Sequence, residues 1–139
     1  KMNIFGDWTS ANKKLAKYYR GGPFKNYEEV VKIMNSAKII LNIHGLQGQA
    51  HYDASSRIFE SAGCGVFQLA DYNEGIIDCF EPGKEIVCFK TKEELRDLVK
   101  YYLANTKERE EIAKAGQERA YRDHTFKKRM QELLEKIQK

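Results

Sequence analysis

The sequence predicts an α/β fold, a mostly parallel sheet with helices on its faces. Three observations carry that expectation. Apolar runs at 38–43, 66–70 and 85–89 have the length and branched or aromatic content of buried strands. Segments with the 3.6-residue period of a helix lie between them. Strands that alternate with helices build parallel layers joined by right-handed crossovers. A further run, Met2-Asn3-Ile4-Phe5-Gly6, brings the expected number of strands to about four or five, few for a complete doubly wound domain.

The elements follow in order. Strand 2–6 ends at Gly6-Asp7, and Trp8, Ala11, Leu15 and Tyr18 then share one face of a helix over 8–18. Gly21-Gly22-Pro23 is a loop. Asn26 with Glu29 forms a capping pair, and Tyr27, Val30, Val31 and Met34 carry a helix to about Ser36. Strand 38–43 leads into the loop His44-Gly45-Leu46-Gln47-Gly48. A short helix within Asp53 to Gly65 follows; it opens on Asp and two Ser, closes on Gly-x-Gly, and turns Ile58 and Ala62 to the core. After strand 66–70, Tyr72-Asn73-Glu74-Gly75 turns into a helix at about 75–80, and Pro82-Gly83 precedes strand 85–89. Thr91 and Glu94 form a second capping pair before a helix marked by Leu95, Leu98, Val99 and Tyr102. Lys107 to Arg122 is a charged helix, interrupted at His124-Thr125. The stripe Phe126, Met130, Leu133, Leu134 and Ile137 makes a last amphipathic helix, which is expected to bury that stripe on its own domain. Tyr101, Tyr102 and Phe126 are expected in the core.

Composition narrows the function classes. The 139 residues suffice for one domain with a real core, residues 1–139, and the net charge is +4. The first 70 residues hold nine bases and five acids, whereas the rest hold fifteen of each. The excess charge therefore lies in the half that suits an acidic ligand. Acids and bases interleave along 107–122, the pattern of a solvated helix face and not of a nucleic-acid patch. Cys64, Cys79 and Cys88 show neither metal-ligand spacing nor a CxxC pair, which points to buried free thiols in a reducing, cytoplasmic compartment. No apolar run approaches the roughly 20 residues of a membrane span, and no signal peptide is visible. The chain enters a strand pattern almost at its first residue, as expected of a fragment or excised domain.

Parallel sheets take ligands beyond the carboxyl ends of their strands. Here those ends are Gly6-Asp7, His44 to Gly48, Asp71 to Gly75 and Phe89-Lys90. The helix start after the glycine loop offers free N–H groups and a positive dipole to an anion. Asp53, Ser56, Arg57 and Glu60 are spaced to share one face of that helix. Each has a plainer reading. Glu60 can be a solvated carboxylate paired with Arg57 or Lys38, and Arg57 can pair with Asp53 at i,i+4. His44 can line a pocket or bond to loop backbone, and Asp71 can be a helix cap. Glu74 and Gly75 can be an ordinary turn, and His51 and His124 read as structural or exposed.

The run Arg57-Ile58-Phe59-Glu60-Ser61-Ala62-Gly63-Cys64-Gly65, the turn Asp71-Tyr72-Asn73-Glu74-Gly75 and Phe80-Glu81-Pro82-Gly83-Lys84-Glu85 resemble the C-terminal domain of group 1 (family 4-like) glycosyltransferases. The spore-maturation-protein-like branch resembles the chain most. The helices from Glu93 onward fit as well, including His124-Thr125. The resemblance covers about 38–130 well and 1–37 loosely. It implies the C-terminal, Rossmann-like half of a two-domain GT-B enzyme. This half holds a nucleotide-diphosphate sugar, while a missing N-terminal domain takes most of the acceptor. The resemblance also implies retained anomeric configuration, with no metal and no other cofactor.

Residue by residue, the second Glu of the family's Glu-x7-Glu motif matches Glu60 and implies a ribose-hydroxyl ligand. Backbone amides at Ala54, Ser55 and Ser56 match the diphosphate contacts. The first Glu, which touches the donor sugar, falls on Tyr52; either Asp53 beside it substitutes in that catalytic role after a one-residue shift, or the branch handles the sugar differently. The basic pair that many members use for phosphate has no counterpart, and Arg57 stands in for it. His44, Gly45, Asp71, Glu74 and Gly75 complete the expected substrate-binding set.

Two function classes stay open at this point. One is the donor half of a glycosyltransferase; the other is a non-catalytic α/β module that binds a nucleotide or a protein. A phospho-receiver domain fits poorly, since it needs an acidic pair after the first strand and Asp7 stands alone.

Overall fold

A computed structural model of the chain describes residues 2–5, 13–22, 26–44 and 54–138. The chain divides into two compact units, Lys1–Ile33 and Met34–Lys139.

In the first unit the expected strand 2–6 reduces, over its described residues, to one parallel bridge between Ile4 and Tyr19. Ile4 N–H donates to Tyr18 O at 2.9 Å and Arg20 N–H to Ile4 O at 2.9 Å, so the run is tied locally. Of the expected helix 8–18, residues 8–12 lie outside the described residues. The remainder is a turn and a short 3-10 helix, Ala16–Tyr18. The unit boundary falls inside helix α1 (Tyr27–Ser36). Asn26 caps α1 as expected, its Oδ1 accepting the Glu29 N–H at 3.0 Å. No residue of α1 is buried, so its apolar face is covered at most in part.

The second unit holds the sheet. Strands β1 (Ile40–Asn42), β2 (Gln68–Asp71) and β3 (Val87–Phe89) are parallel, in the order β1-β2-β3. Leu41 pairs with Leu69, and Ala70 with Cys88. Helix α2 (Ser56–Gly63) links β1 to β2, and α3 (Glu74–Ile77) lies between β2 and β3. Helices α4 (Lys92–Ala104), α5 (Thr106–Asp123) and α6 (Phe126–Ile137) follow. The α/β class is therefore as the alternation predicted, and the parallel sheet with flanking helices is Rossmann-like, as the resemblance implied. The three strands are shorter than their apolar runs, because only the residues that exchange ladder hydrogen bonds with neighbours count as strand.

Successive side chains of a strand face opposite ways, and the core divides accordingly. One cluster joins Ile58 and Ala62 of α2 with Ala70, Ile76, Phe80, Ile86 and Ala120. The other joins Phe67, Leu69, Val87 and Phe89 with Tyr102, Ile112 and Ala113. Central strand β2 is covered on both sides: Leu69 and Ala70 are each 0% exposed.

Two local features set the helix positions. Gly65, at φ +68°, ends α2 in the left-handed region, with its N–H donated to Ala62 O at 2.8 Å. Gly116 lets α5 pass the strand-leading backbone at close range, since a Cβ there would lie 2.4 Å from Glu85 O. Thr91 caps α4 as expected, accepting the Glu94 N–H at 3.1 Å. The Glu94 carboxylate reaches back to Lys90 N–H at 2.7 Å, one residue earlier than a capping box requires.

The last helix departs from expectation. Phe126 is 91% exposed and Ile137 70%, and α6 buries no residue. The stripe is apolar as read, but no described element covers it. Of the expected core aromatics, Tyr102 is buried, whereas Tyr101 and Phe126 are exposed.

Candidate functional site

The carboxyl ends of β1 and β2 lie side by side, since Asn42 is in register with Ala70. Asp71 closes β2, and the chain beyond β1 reaches His44. Both Asp71 carboxylate oxygens accept the His44 backbone N–H at 3.0 Å, and Oδ1 lies 2.8 Å from His44 Nδ1. On the other side of the ring, Nε2 lies 2.9 Å from Ser55 Oγ. The His44 side chain is 1% exposed.

The proton positions follow from donor inventory. An ionised carboxylate only accepts, so Nδ1 carries its proton toward Asp71. In the neutral ring Nε2 is then bare and accepts the Ser55 O–H. Ser55 is the N-cap of α2, with φ −61° and ψ 155°, yet its side chain makes no capping bond. Its hydroxyl goes to His44 instead, which leaves the first-turn amides of α2 without that side-chain acceptor.

Other ties fix the helix start over the strand ends. Arg57 Nη2 donates to Ile43 O at 3.2 Å. In the buried layer Asn42 Nδ2 donates to Gln68 Oε1 at 2.8 Å, and Gln68 Nε2 to Ile58 O at 3.1 Å. Buried amides are costly unless paired, and here each partner satisfies the next. The helix start is thus pinned to both strands by polar bonds, not by packing alone.

The remaining expected site residues fall as follows. Ala54 packs on the first core cluster. Ser56 and Arg57 are exposed, so that part of the polar stripe faces outward. Glu60 is half-buried, and its carboxylate has no hydrogen-bond or ion-pair partner among the described residues; neither Lys38 nor Arg57 pairs with it. Burial, then the Glu60 charge, pushes the neighbouring Cys64 thiol up. Glu74 is exposed at the first position of α3, and Gly75 is buried, with its N–H donated to Asn73 Oδ1 at 2.8 Å. That bond occupies the Gly75 amide. The Lys90 ammonium lies 4.1 Å from the Tyr72 ring centroid at the next strand end. Burial, with Asp71 and Glu94 nearby, pushes the Cys88 thiol up to about 11. Asp53, Gly45 and His51 lie outside the described residues. His124 is structural, its Nε2 donating to Cys79 O at 2.8 Å.

The residues missed from sequence are the polar supports Asn42, Gln68 and Asn73. Asn73 carried a signal, since Asn before Glu-Gly is a good N-cap. Polar residues inside apolar strand runs were the signal for the other two. The Ser55–His44 bond spans eleven residues of chain and leaves no spacing pattern to read.

Chemically, the arrangement holds a hydroxyl in one orientation. A ring that is 1% exposed, with both nitrogens engaged, is poorly placed to pass a proton to a ligand outside it. The α2 start adds uncapped amides suited to an anion. Among the described residues no cluster of three or more His, Cys, Asp or Glu gathers for a metal, and no helix is long and apolar enough to cross a membrane.

Solved structures share this architecture. Two crystal structures of Anabaena HepE (Alr3699), one in complex with UDP and one with UDP-glucose, superpose with TM-scores of 0.69 and 0.71. Each is 16% identical to this chain and covers 90% of it, while the chain spans 33% of theirs. At this identity the likeness speaks to the fold alone, a Rossmann-like α/β domain that matches part of a GT-B structure. No curated protein matches the chain. A family model described as glycosyl transferase-like matches residues 1–135, nearly the whole length and every element of the site, and to that family this chain belongs.

Proposed function

We propose that the chain is the donor-binding half of a two-domain glycosyltransferase, with a nucleoside diphosphate sugar held at the rim formed by His44, Asp71 and the start of α2. The observation that carries this reading is the α2 start itself: its amides lack a hydroxyl cap, and it is fixed at the carboxyl edge of a parallel sheet by Ser55 and His44. Family membership and a fold shared with proteins solved with UDP and UDP-glucose support it.

In this reading the amides of Ala54, Ser55 and Ser56 hold the diphosphate, and exposed Arg57 adds a cation. Glu60 accepts from the ribose hydroxyls, and Asp53 meets the transferred sugar. Gly45, Glu74 and Gly75 shape the rim. The leaving diphosphate gains negative charge in the transition state, and dipoles aimed at it lower the barrier without a metal. Residues 1–139 then form one donor domain, closed by helices 107–138, and the acceptor binds on a partner domain. Transfer with retained configuration, the spore-maturation-like branch and a cytoplasmic setting belong to the same proposal. The three free thiols fit that compartment.

Calorimetry with UDP and UDP-glucose tests it. The chain should bind both, and Glu60→Ala should weaken both by about 1–3 kcal/mol, the worth of a charged hydrogen bond. Unchanged affinity in the variant takes Glu60 out of the site. A parent chain that binds neither nucleotide favours the non-catalytic module instead.

A further inference from the structure

We infer that Ser55 Oγ acts as a hydrogen-bond acceptor for a hydroxyl of the bound ligand, and so reads a polyol group and not the diphosphate. The inference rests on the donor-binding reading above and adds a selecting residue to it. A serine hydroxyl has a single proton, and in the neutral His44 ring the bare Nε2, 2.9 Å away, takes it. In the neutral ring the Nε2 acceptor state is set from behind: Asp71 accepts the Nδ1 proton at 2.8 Å and the same residue's backbone N–H with both oxygens at 3.0 Å. The ring is 1% exposed and cannot turn toward water for another partner.

Ser55 itself is only half-buried, and a hydroxyl that donates its one proton still has lone pairs with which to accept. Facing phosphate oxygens, those lone pairs repel; facing a hydroxyl, they accept. The main chain at 54–56 and the Ser55 side chain therefore serve opposite polarities at one helix start. N–H groups meet the anion, and Oγ meets an O–H. Two hydroxyl sources share this chemistry, the ribose and the transferred sugar.

Two measurements test it. In the ligand-free chain, isotope-labelled imidazole nitrogens should show His44 protonated at Nδ1 and bare at Nε2. A proton on Nε2 at neutral pH would reverse the polarity of Ser55 and overturn the inference, whatever the chain binds. The second is calorimetry of Ser55→Ala with UDP-glucose, UDP and dideoxyuridine diphosphate, which lacks both ribose hydroxyls. The hydroxyl caps no α2 amide, so the change does not remove a helix cap. We expect a loss of about three- to tenfold, the range of one ordinary hydrogen bond. A loss confined to UDP-glucose assigns the transferred sugar. An equal loss with UDP-glucose and UDP, absent with the dideoxy compound, assigns the ribose. Ser55→Thr keeps the hydroxyl and should restore affinity. Equal loss with all three ligands places the effect on the diphosphate or on the helix start that the Ser55–His44 bond holds, and no loss with any places Ser55 off the ligand; either overturns the inference. A parent chain that binds none of the three sinks the donor-binding reading, while the nitrogen spectrum still reports the polarity of Ser55.

Discussion

His124 is held as a neutral ring by its surroundings. With Nε2–H spent on Cys79 O, Nδ1 accepts from Arg129 Nη2 at 3.1 Å. The Phe59 and Phe80 rings flank it, each with centroids 5.1 Å away. Burial lowers its pKa most, against the Cys79 carbonyl bond, and the Arg129 and Arg119 charges lower it further, against Asp123. A histidine whose folded pKa is lowered binds fewer protons than the unfolded chain. Its contribution is therefore full above the ordinary value of 6.5 and is lost as pH falls below it. Urea midpoints across that window should drop more steeply for the parent than for His124→Gln; parallel slopes would show that the ring does not titrate with unfolding. At this scale the sequence was informative about side-chain chemistry and poor about partners. Glu60 was picked out by its helix face together with the family motif it matches, and His44 by its place at a strand end. That His44 would turn its ring away from solvent, between Asp71 and Ser55, depended on three segments meeting.

Helix starts were the most readable elements, because a cap is a contact between residues three apart, and Asn26 and Thr91 make theirs as expected. Strand lengths were overread, since an apolar run continues past the last paired residue. The apolar stripe of α6 was read correctly and placed wrongly: periodicity shows which side of a helix is apolar, not whether another surface meets it. The crossing at Gly116 had no signal at all, a lone glycine inside a charged helix. It sets a clear expectation. Intrinsic helix propensity favours Ala over Gly by about 1 kcal/mol. A Cβ 2.4 Å from a backbone oxygen cannot be relieved by a side-chain rotation. Overpacking of this kind costs roughly 1–3 kcal/mol or more, so Gly116→Ala should destabilise the chain on balance. Denaturant titration checks it, and a neutral or stabilised variant would mean that α5 sits further from Glu85.

At the scale of the whole molecule, the order of strands and helices was enough to give the α/β class, because alternation leaves few ways to layer a sheet. The chain covers 33% of the HepE structures that share its fold, and catalysis between two substrates rests heavily on positioning both. We therefore expect the purified 139-residue chain to transfer no sugar to any acceptor, even where it binds the nucleotide as proposed. Sustained release of UDP dependent on an acceptor, measured with this chain alone, would defeat the half-enzyme proposal. The layout of α5 bears on how such a thin sheet survives. Ala120 of that helix belongs to the cluster on one face, and Ile112 and Ala113 belong to the cluster on the other. One rigid rod thus stitches both layers, so loss of either strips α5 of part of its support, and the second unit is expected to unfold as a single cooperative event.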